Sequence, residues 1–288
     1  MSGEAAFIEA LRAIATHPAA RGLSDDCAVL EMGSETLVLT HDTMVEGVHF
    51  LAGQDLHDVA WRLVATNMSD LAAKGARPVG VLLSYQLGGD DAAFLRGLGA
   101  ALTRYGAALL GGDTVSAAGA KTVGLTAIGL ATHLPVPPRS GAKPGDEVWI
   151  TGPVGAALAG FEALQSGEGD SEAYRRPVAL VAEGQLLAPL VSAIMDVSDG
   201  LLLDARRMAM VSGVTLTLDR SAIPIAMPED RRDEALRWGD DYQLLFTLPG
   251  QVTPPLPAFR IGTVMEPGPE PLLLDGAAPS GKLGYEHR

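Results

Sequence analysis

The sequence predicts an α/β (α+β) protein with two lobes, and three observations support that prediction. Apolar, β-branched runs alternate with segments of helical spacing in both halves of the chain, as in mixed α/β folds. Residues 134–145, LPVPPRSGAKPG, carry four prolines and two glycines, which is typical of a linker. The 288 residues suffice for two domains of ordinary size. We therefore expect one domain over residues 1–136 and a second over residues 137–288.

In the first half, the pattern predicts helices and strands in alternation. Helical spacing predicts an amphipathic helix near the amino terminus and further helices over residues 58–74, stopping at Gly75, and 90–105. Apolar and β-branched runs predict strands at residues 27–30, 36–40, 79–87, 107–110 and 121–133, with a weaker one at 45–50.

The second half repeats this alternation. Strands are predicted at residues 147–151, 214–218 and 243–248, with short apolar runs at 260–264 and 272–274. Helices are predicted from residue 153 to about 164 and at 178–190, 198–211 and 227–238, and Ser198 is expected to cap the third of these.

The charge balance argues against polyanionic partners. Asp and Glu number 35 against 21 Lys and Arg, a formal net charge of -14. Such a surface repels nucleic acid and anionic membranes, and an anionic substrate would need nearby basic side chains or bound cations. The single cysteine, Cys27, excludes an internal disulfide and a thiolate metal site.

The chain carries no signal for membranes or secretion. Its first residues include acids and an amphipathic pattern rather than a basic start and an apolar stretch. No run of about 18 apolar residues occurs. We expect a cytoplasmic protein.

Aspartate beside glycine, serine or threonine recurs near predicted strand and helix ends, whereas the common nucleotide motifs are missing. Neither G-x-x-x-x-G-K-[ST] nor a G-x-G-x-x-G between strand and helix occurs. Asp25 and Asp26 are adjacent carboxylates that repel unless a cation is close, although taken alone this pair is better explained as a solvated turn. Asp42 follows Thr40 and His41, an oxygen-rich group suited to a hard cation or merely a polar strand end.

Three further segments fit phosphate and metal chemistry. Asp70 lies late in its helix, where an anion is disfavoured, so either Lys74 at i+4 or a bound cation would offset it. Gly111-Gly112-Asp113-Thr114 is expected to form a turn, either a phosphate-binding loop or a hairpin. Asp196 and Asp199 flank a predicted helix start that also suits phosphate, and Arg139 extends from the linker towards such a group.

The order of these motifs resembles the thiamine-monophosphate kinase family, within the aminoimidazole-ribonucleotide-synthetase-like superfamily. The similarity runs from about residue 20 to the end through SDDCAVL, THDTMVEGVHF, NMSDLAAKGARP, LLGGDT, RSGAKPGDEVWITG, MDVSDGLLLD and GDDYQLLF. It implies Mg²⁺-dependent transfer of the ATP γ-phosphoryl to thiamine monophosphate, in line and without a covalent nucleophile, in thiamine diphosphate biosynthesis. It also implies a synthetase-like two-lobed fold whose amino-terminal strands pair in a homodimer.

The resemblance assigns residues to three roles. It implies several Mg²⁺ ions held by Asp26, Thr40, His41, Asp42, Asp70, Asp113, Asp196 and Asp199. It implies ATP contacts from Gly112, Asp113, Arg139 and Ser198, and substrate contacts from His49 and Asp240. His41 stands where a hydroxyl residue is usual, which favours its backbone carbonyl as ligand. Asp240 replaces a glutamate, and Lys282 stands where a late tryptophan is expected.

Other functions stay open on the sequence alone. A sister ATP-dependent synthetase shares the wider motifs, and the changed Asp240 region also fits a catalytically silent nucleotide- or thiamine-phosphate-binding protein. A metal-dependent phosphatase is a third reading, which Arg139 and the GGDT segment disfavour.

Overall fold

The computed structural model describes residues 3–287 and places them in two mixed β-sheets with helices packed against them. The strands are β1 (Ala28–Met32), β2 (Glu35–Val45), β3 (Ala76–Gln86), β4 (Ala108–Val115), β5 (Thr122–Ala131), β6 (Asp146–Ile150), β7 (Ala193–Asp196), β8 (Thr215–Leu218), β9 (Leu244–Pro249), β10 (Phe259–Met265) and β11 (Leu272–Leu274). The helices are α1 (Gly3–Arg12), α2 (Leu56–Ala73), α3 (Asp91–Tyr105), α4 (Ala156–Ser166), α5 (Glu172–Arg175), α6 (Val181–Leu187), α7 (Leu201–Ser212) and α8 (Arg232–Arg237).

Each half of the chain forms its own sheet, so the predicted two-lobed α/β fold is confirmed. The first sheet has the order β1-β2-β5-β3-β4, in which only the β3–β4 pair is parallel. The second has the order β11-β8-β10-β6-β9-β7, in which only β11 and β8 run parallel. The proline-rich segment lies between the last strand of one sheet and the first strand of the other. The boundary at residues 136 and 137 itself stays a prediction.

Most predicted elements are present, and the exceptions have local causes. The expected strand at 45–50 is wrong, because the chain turns there through hydrogen bonds from Val48 N and His49 N to Val45 O. The helix expected at 227–238 is confined to α8, preceded by a 3-10 turn at Glu229–Arg231. The GGDT turn is also wrong, since Gly111 to Thr114 lie inside β4 and pair with β3.

Helix α2 connects the two lobes. Asp55 caps its start by accepting from His57 N, and it ends where Gly75 adopts a φ of 59°. Its middle packs into the first core, whereas Ala72 and Ala73 pack with apolar residues of the second lobe. A helix buried on nearly every side can place polar residues only where they find partners. No helix in the part of the chain described here is long and apolar enough to cross a membrane.

Helix α3 contacts α2 closely at a glycine, which gives a stability prediction. A Cβ at Gly97 would lie 2.0 Å from His57 O, whereas a Cβ at Gly99 would meet nothing within 4 Å. We expect Gly97→Ala to destabilise the protein by about 1–3 kcal/mol, because backbone must move apart. The matched change Gly99→Ala should stabilise it by about 0.5–1 kcal/mol, since alanine is the better helix former. Urea denaturation checks both, and equal effects would contradict the close packing.

Candidate active site

Three carboxylates from distant parts of the chain meet between the lobes. Asp26 precedes β1, Asp70 lies on α2 and Asp196 ends β7, and one oxygen of each lies within 4.8 Å of the others. We call these three residues the acid cluster. Ser69 Oγ donates to Asp196 Oδ2 over 2.6 Å, so the helix positions carboxylates of both lobes. The sequence prediction that these three aspartates share one site agrees with this geometry.

Strand β2 adds residues from one of its faces. Thr40 and Asp42 alternate with His41, so they point to the same side of the sheet. The Thr40 hydroxyl donates to Asp70 Oδ2. His41 lies on the other face, where its ring contacts the hydroxyls of Thr126 and Thr43. Only a backbone group of His41 could therefore join Thr40 and Asp42 at a cation.

Burial and mutual repulsion perturb these carboxyl groups. Burial, then Asp42 and Asp196, raises the pKa of Asp70 well above its ordinary value. Burial together with Asp26 raises the pKa of Asp196 to about 8, and burial together with Asp199 raises that of Asp42 to about 6. Asp42 Oδ2 is buried and has no hydrogen-bond partner. An oxygen-only, negatively charged set with an unpartnered carboxylate oxygen fits a hard divalent cation.

Two basic side chains partly offset this negative charge. Burial alone would raise the pKa of Asp26, but ion pairs with Arg139 and Lys74 lower it to about 2. Lys74 therefore pairs with Asp26 and with Asp25, whose Oδ1 lies 2.5 Å from Nζ, and not with Asp70 as helical spacing suggested. Arg139 Nε remains buried without a partner. The linker arginine thus lies beside the cluster, with hydrogen-bonding capacity left for a ligand.

Asp199 and Ser198 occupy a loop, which corrects the prediction that Ser198 caps the helix. Helix α7 begins after Gly200, whose φ is 116° and whose Cβ position lies 2.6 Å from Arg237 O. The Asp204 carboxylate, from the first turn, accepts from Ser198 N and Asp199 N over 3.2 and 3.0 Å. Asp199 pairs with Arg207. The loop is thus fixed by the carboxylate of Asp204, which was not predicted to have a role.

A second group of polar side chains surrounds the predicted substrate residues. Arg62, on α2, donates to Asp240 Oδ2 over 3.1 Å and lies over the Tyr174 ring at 4.0 Å. Tyr242 donates its hydroxyl to Asp240 Oδ1 over 3.0 Å. His49 is close enough for the Asp240 charge to affect its pKa, which burial lowers on balance. The Tyr174 hydroxyl donates to His49 O over 3.5 Å, so His49 and Asp240 are linked through Tyr174 and Arg62.

Backbone contacts join this second group to the Asp196–Asp199 loop. Asp240 and Tyr242 adopt φ values of 63° and 50°, a left-handed conformation that costs free energy in residues other than glycine. Asp240 N donates to Ser198 O over 2.8 Å and Tyr242 N to Val197 O over 2.9 Å. Strained residues held in this way are typical of functional sites. The two loops are thus held together by backbone hydrogen bonds.

Gly112 and Asp113 are not brought to the acid cluster within one chain. Asp42 lies across from Leu125, Leu125 from Leu83, and Leu83 from Gly112. Three strand spacings separate Asp42 from this segment by about 14 Å. Gly112 is required for packing, because its Cβ would lie 2.0 Å from Leu83 O. The whole of β4 is exposed.

Comparison with known proteins decides the family. The models for AIR synthase related protein, N-terminal and C-terminal domains, match residues 24–131 and 143–253. Thiamine-monophosphate kinase of Salmonella typhimurium is 38% identical over 254 residues, which cover 79% of this chain and 76% of that protein. The chain belongs to the thiamine-monophosphate kinase family.

The Aquifex aeolicus member is 30% identical, with 92% of each chain covered. A solved structure of AaThiL complexed with AMPPCP and TMP matches 99% of this chain with a TM-score of 0.89 and 30% identity.

Within this thiamine-monophosphate kinase fold, the carboxy-terminal tail packs on the Asp199 loop. Tyr285 N donates to Asp199 O over 2.8 Å, and Arg237 donates to Lys282 O over 2.6 Å. The His287 ring lies 5.4 Å from that of His49. The tail thus reaches the predicted substrate residues, although Lys282 replaces the expected tryptophan.

Several residues around this site were not predicted from the sequence. Tyr242 and Asp204 lie inside the motifs GDDYQLLF and MDVSDGLLLD but were given no role there. Arg62 and Tyr174 carried no motif signal, because an arginine or a tyrosine on an apolar helix or loop usually serves packing. A signal did exist for Lys74, since two adjacent aspartates require a nearby cation when they are enclosed. Helical spacing assigned that cation to the wrong carboxylate.

The raised pKa values of this family member predict how its metal-free stability depends on pH. The fold holds protons on Asp196 and Asp42 that the unfolded chain releases above about pH 4, so the free energy of unfolding falls between about pH 4 and 8. The slope is at most about 1.4 kcal/mol per pH unit for each carboxyl. The lowered pKa of His49 has the opposite effect on the free energy of unfolding, and it acts only below pH 6.5, the ordinary pKa of histidine.

Urea denaturation in EDTA at several pH values measures this slope. Asp196→Asn is the matched control, because it removes the carboxyl with the higher of the two pKa values. It should make the slope above pH 6 shallower, while Asp204 and Asp241, whose pKa values burial raises to about 7, keep part of the slope. A stability that rises steadily from pH 5 to pH 8 would contradict the prediction.

Proposed function

We propose that the protein transfers the γ-phosphoryl group of ATP to thiamine monophosphate and forms thiamine diphosphate and ADP, as a step of thiamine diphosphate biosynthesis. The observation that carries the proposal is the acid cluster between the lobes, joined through one loop to the group around Asp240. Curated relatives at 30–38% identity are thiamine-monophosphate kinases. AaThiL binds AMPPCP and TMP on a fold that covers nearly this whole chain. The same proposal includes a cytoplasmic location, where ATP is made available.

We assign Mg²⁺ to the acid cluster with Thr40, Asp42, Asp199 and the backbone of His41. When bound, Mg²⁺ supplies positive charge that neutralises phosphate oxygens. Arg139, Gly112, Asp113 and Ser198 contact ATP in this proposal, and His49 and Asp240 contact thiamine monophosphate. Arg62 and Tyr242 hold both oxygens of the Asp240 carboxylate and so orient it towards the substrate.

No side chain needs to act as a covalent nucleophile in this reaction. Phosphoryl transfer between two anions requires alignment and charge neutralisation above all. Cys27 is buried, and burial raises the pKa of its thiol well above the ordinary value, so it stays protonated and unreactive. The direct test is to incubate the protein with ATP, Mg²⁺ and thiamine monophosphate and to measure thiamine diphosphate.

We also propose a homodimer formed through the edge strand β4. Leu109 and Leu110 are 52% and 53% exposed there, and Leu82 on β3 is exposed beside them. An apolar edge strand left uncovered promotes association. Since Asp113 lies too far from Asp42 to share an ion with it in one chain, we assign Asp113 to the site of the second copy.

Asp70→Asn tests the acid cluster. We expect it to lower kcat at least about 100-fold, because it removes a charge needed to hold cations against phosphate. Cys27→Ala is the matched control, since this side chain lies beside the backbone of Asp70 but has no chemical role. It should keep near-normal turnover. A normal rate for Asp70→Asn, or a lost rate for a folded Cys27→Ala, would contradict the assignment.

A mixed dimer tests the position of Asp113. Asp113→Asn and Asp70→Asn are each expected to be inactive alone. If Asp113 serves the partner's site, a mixture refolded or co-expressed together should recover about a quarter of wild-type activity, because half of the dimers each contain one intact site. If Asp113 serves its own chain, no activity returns. The oligomeric state, measured by light scattering, is checked in the same samples.

A further inference from the structure

Lys74 is buried completely although it carries a charge. It follows α2 as its C-cap residue and is 1% exposed. Its Nζ lies 2.5 Å from Asp25 Oδ1 and 2.6 Å from Asp26 Oδ2, and it donates to Ile194 O over 3.1 Å. Three oxygens thus surround the ammonium group, one through a hydrogen bond and two through ion pairs. A buried ammonium is tolerated only with partners of this kind.

These partners belong to both lobes. Asp25 and Asp26 precede the first strand of the first sheet, whereas Ile194 lies on β7, two residues before Asp196. The same ammonium group therefore positions the loop of one cluster carboxylate and the strand of another. Lys74 is the cation that joins the lobes at this point.

Other cations at this place are more exposed. Arg21 pairs with Asp25 and Arg139 with Asp26, and their side chains are 21% and 18% exposed, against 0% for Lys74. Arg139 extends from the linker and has an unpartnered Nε. If Arg139 turns towards a bound phosphate, Lys74 is the basic group that stays on Asp26.

We propose that Lys74 is a resident cation of the acid cluster. It positions Asp26 and the end of β7, and it supplies part of the positive charge that bound ions would otherwise have to supply. The metal-free protein consequently keeps its lobes joined. Lys74 is a positioning residue, and the inference rests on the proposed function only for the identity of the ion.

The test compares thermal unfolding in EDTA and in Mg²⁺, which does not depend on turnover. Lys74→Met keeps an unbranched side chain and removes the charge. We expect its Tm in EDTA to be about 5–10 °C below that of the wild type, because two buried carboxylates lose the most deeply buried of their ion-pair partners and keep only Arg21 and Arg139. Mg²⁺ should then raise its Tm at least about twice as much as it raises that of the wild type, since the ion replaces the missing charge. Lys143→Met, at an exposed lysine, is the matched control and should change neither value.

A double variant keeps the proposal falsifiable if Lys74→Met folds poorly. Lys74→Met with Asp25→Asn removes the ammonium group together with one of its carboxylates, so it should be more stable in EDTA than Lys74→Met alone. A role in packing alone would give no such rescue. The proposal is overturned if the double variant is no more stable than the single one, or if Mg²⁺ stabilises Lys74→Met and the wild type equally. Failure of the kinase assay with wild-type protein would leave these results unaffected and would count against the proposed function instead.

Discussion

The constraint on which the rest of this structure depends is the enclosure of several carboxylates between two lobes. Each buried carboxylate costs free energy unless it is protonated, hydrogen-bonded or paired with a cation. All three solutions occur here. Asp70 accepts from Thr40, Asp196 accepts from Ser69 and has a raised pKa, and Asp26 is held by Lys74 and Arg139. The lobes meet where they do because these partners come from both of them.

The net charge of -14 does not describe how the acidic residues are distributed. Most acids lie on the surface and disfavour polyanions, whereas a few are concentrated at one internal place that attracts cations. A protein of this charge can bind nucleotide phosphates only where that local set has been neutralised. The basic groups Lys74, Arg139 and Arg207 lie there, each paired with an aspartate. Global charge and local chemistry are therefore separate properties of the chain.

The sequence predicted the fold class, and it predicted the grouping of Asp26, Asp70 and Asp196, because both depend on local signals. Helix α2 was recognisable from its apolar spacing and from Gly75 at its end. The residue type of Asp26, Asp70 and Asp196 was sufficient to suggest a shared site. The ion-pair partners of Lys74 were not predictable. Lys74 is one helical turn from Asp70 in the sequence, but its ammonium group pairs with Asp25 and Asp26. Similarly, the pairing of Gly112 with β3 depends on the sheet and overrides the turn that two glycines suggest.

The course of α2 explains how a single helix can serve two recognition tasks. Arg62, Thr66 and Asp70 are spaced four residues apart, so they lie along one face of the helix. Arg62 and Thr66 contact Asp240 and Tyr242 at one end, and Asp70 joins the acid cluster at the other. Eight residues of helix span about 12 Å, so the two ends are separated by the length of a small molecule. A substrate that carries a polar ring at one end and a phosphate at the other would satisfy both ends, and thiamine monophosphate has this form. Because Arg62 and Asp70 belong to one helix, the distance between these two residues is set by the helix backbone rather than by closure of the lobes.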